Sequence, residues 1–211
     1  MTDKENKGWR PATNLVLGGL ARSAFHETSE ALYMTSGYLY DTAEEAEAAV
    51  SNDIKRYIYS RYANPTLSML EKRLCLLEGA ETCATTASGM AAVFAALACQ
   101  VKAGDYVVAS RALFGSCLYI ITDILPRLGV ETRVVEATDL GEWKEALSRK
   151  TAVVFLETPT NPTLEIIDLA AVCRLARDAG ARVIVDNVFS TPLLQRPLEL
   201  GADIVVYSMT K

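Results

Sequence analysis

The sequence predicts an α/β fold: three layers, with a mainly parallel sheet covered by helices on both faces. Three observations predict it. Beyond residue 66 short runs of Val and Ile recur, they lack the in–out alternation of a half-exposed sheet, and most are followed by a stretch of helical periodicity. In order, residues 66–78 space their apolar side chains as an amphipathic helix that stops at Gly79. Strands are expected at 82–86, 105–110, 130–135, 152–156, 182–186 and 203–207. Helices are expected at 88–101, 115–128, 139–149 and 168–179, the third opened by Thr138-Asp139 and the fourth closed by Gly180. Residues 1–60 lack this rhythm. They read as an extended N-terminal arm for contacts with another subunit, with a short helix near 42–50, and residues 61–211 as one large domain.

Composition narrows the possible roles. The 211 residues are enough for a substantial core, and half of them are hydrophobic, which argues against disorder. A net charge of −5 leaves no basic footprint for nucleic acid or an anionic membrane. No apolar run approaches the roughly 18 residues of a membrane span, and the polar start "MTDKENKGWRP" lacks the apolar centre of a secretory signal. Five cysteines without CxxC or Cys/His spacing read as buried, reduced thiols. The expected location is cytoplasmic.

Parallel sheets bind ligands beyond the carboxyl ends of their strands, so the residues that follow each strand matter most. Ser88-Gly89-Met90 open a helix after 82–86, where unpaired amides and the helix dipole favour an anion such as phosphate, although Ser-Gly also serves as a plain cap. No GxGxxG or Walker pattern accompanies it, against a dinucleotide or nucleoside triphosphate. Phe114 follows 105–110, placed to stack on a flat ring or simply to pack. In "ETPTNPT" after 152–156, two prolines make a rigid turn and Glu157 and Asn161 offer polar groups. Asp186 closes a run of Val and Ile, where a carboxylate is costly unless a cation or donor meets it.

Lys211 stands 25 positions after Asp186, one connection and one strand later, so both belong to the same sheet edge. An acid, a lysine, an anion-binding helix start and a stacking aromatic share one chemical explanation. Pyridoxal 5'-phosphate (PLP) needs a Schiff-base amine, a carboxylate for its ring nitrogen, a phosphate cup and a ring cover. Ser208 and Thr210 would add hydrogen bonds to the phosphate from the strand tip.

Six ordered segments, "YSRYANPT", "ATTASGMAA", "LFGSC", "ETPTNPT", "VDNVFSTPLLQRPLELGAD" and "DIVVYSMTK", give the chain its resemblance to the trans-sulfuration (Cys/Met metabolism) PLP-dependent enzymes. The resemblance spans nearly the whole chain. It implies the PLP fold type I, or aspartate-aminotransferase-like, large domain. It also implies that Lys211 forms the Schiff base and later shuttles protons, and that Asp186 holds the pyridine nitrogen. Ser88, Gly89, Met90, Ser208 and Thr210 are implied to bind phosphate, Phe114 to cover the ring, and Asn161 to lie near the ring oxygen and substrate carboxylate. Tyr59 and Arg61 are implied to reach the phosphate of a neighbouring subunit, in a homotetramer of active-site-sharing dimers. The family's arginine for the substrate carboxylate belongs to a C-terminal domain absent from this chain, which is therefore expected to be a fragment.

The implied reaction is γ-replacement on O-succinyl-L-homoserine by sulfide. Phe114, where many relatives have tyrosine, favours the sulfhydrylase branch over the lyases. Met209 stands where a small residue is usual. Cystathionine γ-synthase, O-acetylhomoserine sulfhydrylase, methionine γ-lyase and a catalytically silent assembly domain remain alternatives. Elsewhere, His26 is the only histidine and cannot build a metal site alone, so no metal is expected. Glu44, Glu45 and Glu47 read as a solvated helix face, and His26, Trp9 and Tyr38 as arm packing.

Overall fold

The computed structural model describes residues 8–211, so the polar start read above lies largely outside the described residues. The chain divides into a first compact unit that ends at Thr85 and a second running Thr86–Lys211.

In the first unit, α1 (Pro11–Leu17), α2 (Ala43–Val50) and α3 (Pro65–Glu78) are each started by local chemistry. Pro11 and Pro65 sit at first-turn positions, where a missing N–H costs nothing. Thr42 and Asn64 accept hydrogen bonds from the N–H groups of Glu45 and Thr66. Gly79 ends α3 at φ 71°, a left-handed conformation that glycine adopts without steric cost. The helix α1 escaped the sequence reading, although proline at a first turn was a usable signal. Residues 82–86 form no strand. The N–H and hydroxyl of Thr85 both go to the Glu71 carboxylate at 2.9 Å, which occupies the donor a strand partner would need. Tyr38 stacks on Tyr57 with ring centroids 5.7 Å apart, and Glu45 pairs with Arg56 while Glu44 and Glu47 face solvent. His26 is exposed at a turn with φ 54° rather than packed.

The second unit holds a five-stranded sheet in the order β2-β1-β3-β4-β5, with every neighbouring pair parallel. Its strands are β1 (Tyr106–Ser110), β2 (Glu131–Val135), β3 (Val153–Glu157), β4 (Arg182–Asp186) and β5 (Ile204–Val206). Alternate residues feed two separate cores. Val108, Val154, Leu156, Val183 and Val185 pack with Trp143 on one face, and Val107, Ala109, Val153, Phe155 and Ile184 with Val93 and Leu97 on the other. Both faces are buried, which is why the strands read as unbroken apolar runs.

The first face is covered by α7 (Leu140–Ala146) and α8 (Leu169–Asp178), capped by Asp139 and Asp168. The second is covered by α4 (Gly89–Ala98) and by a helix running from α5 (Gly115–Tyr119) to α6 (Leu125–Arg127). Residues Ile120–Ile124 within that helix widen to a π turn, with the Leu125 N–H bonded to the Ile120 carbonyl. Pro126 explains the widening, because it lacks an N–H and its ring clashes with the carbonyl four residues back. Two short turns, α9 (Thr191–Leu194) and the 3₁₀ segment Pro197–Leu200, lead into β5.

Of the five cysteines, only Cys117 and Cys173 are buried; Cys75 and Cys83 are partly covered and Cys99 is exposed, since its position at the end of α4 faces outward. Among the described residues no helix is long and apolar enough to cross a membrane, and no cluster of metal-binding side chains occurs.

Candidate active site

The strand order dictates where a ligand can sit. From β1 the chain steps to β2 on one side, and β3 then returns to the other side of β1. The connections diverge at the β1–β3 seam and leave a crevice beyond the carboxyl ends. A cavity of about 130 Å³ opens at this edge of the second unit, lined by the first turn of α4 and by the residues that follow β1, β3, β4 and β5.

Asp186 closes β4 and lines the cavity while only 8% exposed. Its Oδ1 accepts the N–H of Val188 at 3.0 Å, and no basic group lies within ion-pair distance among the described residues. Burial raises its pKa above the usual carboxylate range, and the Val188 hydrogen bond opposes the rise. A carboxylate in this state gains from a cationic ligand.

Opposite it, α4 and the tip of β5 meet closely. A Cβ on Gly89 would lie 2.7 Å from Cβ of Ser208, so only glycine permits the contact. The exposed Ser88 caps α4 by accepting the Ala91 N–H at 3.1 Å and does not itself line the cavity. Met90, Ser208, Thr210 and Lys211 do line it. Lys211 is exposed, and its N–H reaches the Ser208 carbonyl at 3.4 Å. Lys211 and Asp186 thus border one cavity.

Phe114 and Asn161 border it too. Phe114 is 43% exposed at the start of α5, with its ring available to a ligand. Its N–H and that of Asn161 both end on one carboxyl group, Glu157, at 2.7 Å and 3.0 Å. Glu157 was missed as a site residue. Its signal was the one that marked Asp186, a carboxylate closing a buried apolar strand. The two acids are register partners on β3 and β4. Burial above all, with the Asp186 charge adding, pushes the Glu157 pKa up to about 7 against the two amide bonds that lower it. Cys117, beneath the cavity and 3.9 Å from the Met90 sulfur, is pushed up to about 12 by burial and both acids, and is an inert thiol.

Behind the site, fully buried Asn187 ties the strand ends together. Its amide reaches Tyr207 Oη at 2.6 Å and the Gln195 carbonyl at 2.9 Å, and Gln195 in turn donates to Asn187 Oδ1 at 2.8 Å. Tyr59 and Arg61 belong to the first unit, where the Arg61 guanidinium lies 5.0 Å from the Tyr59 ring.

The profile of the family described as "Cys/Met metabolism PLP-dependent enzyme" matches residues 12–211. The chain belongs to this family. It is 53% identical to an O-succinylhomoserine sulfhydrylase of Mycobacterium tuberculosis over 204 residues, which cover 97% of the chain and 50% of that relative. It is 41% identical to an L-methionine gamma-lyase of Porphyromonas gingivalis over 201 residues, 95% of the chain and 50% of that relative. Among solved structures, a Campylobacter jejuni protein described as an O-acetylhomoserine (thiol)-lyase superposes with a TM-score of 0.90 at 29% identity. The match covers 97% of the chain and 50% of that structure, which carries a pyridoxyl-lysine phosphate. The chain spans about half the length of the curated relatives it matches.

The Cys/Met metabolism enzymes use PLP, and the cavity fits that group. Glycine at 89 lets the Ser208 side chain pack against the first turn of α4, which sets a serine hydroxyl beside a helix N-terminus on the cavity wall, a donor set that suits a phosphate. Asp186 is a buried carboxylate awaiting a cation, which a protonated pyridine nitrogen supplies.

Proposed function

We propose that the chain carries the PLP-binding part of a transferase that replaces the γ-substituent of O-succinyl-L-homoserine with sulfide, giving L-homocysteine and succinate in methionine biosynthesis. The observation that carries the reading is the shared cavity of Lys211 and Asp186 beneath the Gly89–Ser208 contact. The 53% identity to a sulfhydrylase and the phenylalanine at 114 support the choice of reaction.

In this reading Lys211 binds the cofactor aldehyde, and Asp186 keeps the ring nitrogen protonated. Gly89, Met90, Ser208 and Thr210 hold the phosphate, with Ser88 fixing the helix start, and Phe114 covers the ring. Asn161 orients the ring oxygen and the substrate carboxylate. When bound, PLP supplies an electron sink that acidifies the substrate's α and β C–H bonds. Once the substrate's amino group takes its place on the aldehyde, the released Lys211 amine, on its short tether, would take the proton from the α carbon and serve the β carbon in turn. Succinate then leaves the γ carbon, sulfide adds there, and the protons return. Phe114 carries no hydroxyl, so it excludes water from that face without offering a proton.

Residues 1–60 act as an arm for subunit contacts and 61–211 as the cofactor-binding domain of a cytoplasmic homotetramer. Tyr59 and Arg61 complete the site of the neighbouring subunit in each dimer. A second reading, a γ-lyase acting on methionine or cystathionine, is favoured by the 41% identity to a methionine gamma-lyase. Offering the full-length protein O-succinyl- or O-acetylhomoserine with sulfide or cysteine, and methionine alone, separates the readings. Homocysteine from the succinyl ester and sulfide is expected. Methanethiol and 2-oxobutanoate from methionine, without homocysteine formation, would overturn the first reading in favour of the second.

A further inference from the structure

We propose that Glu157 is a positioning residue that fixes Phe114 and Asn161 to each other across the cofactor cleft. The proposal rests on the reading of the cavity as a PLP site. Phe114 arrives from the loop after β1 and Asn161 from the loop after β3, two segments separated by the divergence at the β1–β3 seam. One carboxyl group bridges that seam. Its Oε2 accepts the Phe114 N–H at 2.7 Å and its Oε1 accepts the Asn161 N–H at 3.0 Å. Glu157 is only 4% exposed and closes a strand that is buried along its whole length.

Among the described residues no other acceptor is hydrogen-bonded to these two amides. Phe114 precedes α5, so no earlier helical turn offers it a carbonyl, and no side-chain cap is present there. Asn161 lies in a turn between prolines 159 and 162, neither of which can donate. A buried carboxyl facing a second acid one strand away is a costly means of joining two loops if packing were its only task. Its geometry suits a different one. The ring cover and the ring-oxygen partner must keep fixed relative positions for one planar ligand to meet both, and a single rigid acceptor pair sets them. The carboxyl keeps acceptor capacity whether or not it is protonated, so its elevated pKa does not release the tie.

The test uses the full-length protein and the variants Glu157→Gln and Glu157→Ala. Glutamine keeps the shape but turns one acceptor into a donor facing an N–H; alanine removes both. Apo-protein is titrated with PLP, and the visible circular dichroism of the bound cofactor reports ring orientation while far-ultraviolet dichroism reports folding. PLP affinity is expected to fall about tenfold for glutamine and further for alanine. The visible dichroism changes and kcat falls more than KM, with the far-ultraviolet spectrum unchanged. If the alanine variant does not fold, the isosteric glutamine variant decides. Wild-type PLP affinity and visible dichroism in Glu157→Gln overturn the positioning role while leaving the site intact. A wild-type protein that binds no PLP overturns the reading of the cavity, and this proposal with it.

Discussion

Gly89 at the start of α4 and Ser208 beyond β5 are in such close contact that a methyl group on Gly89 would sit 2.7 Å from the Ser208 Cβ. Strand tip and helix start are thereby fused into one surface. Gly89→Ala must push them apart, which costs about 1–3 kcal/mol. The expected outcome is a lower Tm and weaker binding of both PLP and inorganic phosphate, measured by calorimetry on apo-protein. Unchanged phosphate affinity would separate this contact from the phosphate site.

In the proposed reading, Asp186 costs the cofactor-free protein stability, because burial disfavours its charge, and gains a partner when PLP is bound. Asp186→Asn keeps an acceptor for Val188 and removes a buried charge. The cofactor-free variant is expected to melt about 2–4 °C higher, while turnover falls on the order of a hundredfold. Thermal melts with and without PLP check the opposite signs.

Lys211 borders the cavity at its solvent side. Lys211→Ala is expected to abolish the visible absorbance of lysine-linked cofactor while phosphate contacts still retain free PLP. Turnover should fall by about 10²–10⁴-fold or more, the scale of a lost acid–base group. Absorbance spectra after gel filtration and a homocysteine assay read both effects.

Burial pushes the Glu157 pKa up to about 7 in the folded protein, against about 4.5 for an exposed glutamate. Between these values the folded state binds the proton more tightly than the unfolded state, so stability falls as pH rises through that window. The difference is worth up to about 3 kcal/mol. Asp186, raised in the same direction, adds to the slope. Denaturant melts of apo-protein from pH 4.5 to 7.5 are expected to show the decline, and Glu157→Gln to flatten it.

The sequence made the interior of the second unit legible because burial on both faces leaves a simple mark. The strands expected at 152–156 and 182–186 were legible for that reason, and Asp186, the acid that closes the second, stood out. What stayed hidden depends on partners distant in sequence. Residues 82–86 have strand-like composition, yet Glu71 claims the Thr85 amide. The π turn at Ile120–Ile124 follows from a proline two positions beyond it, and helical periodicity alone does not register it. Glu157 was visible as a polar group, but its hold on residue 114, 43 positions away, requires the strand order.

The atoms that Glu157 grips are main-chain nitrogens. Such a mount is indifferent to the side chains carried at 114 and 161. An aromatic with a hydroxyl can replace one without, and the chemistry above the ring can drift toward elimination or replacement, while the scaffold that presents it stays the same. Divergence in substrate then needs only an exchange of fittings at that mount.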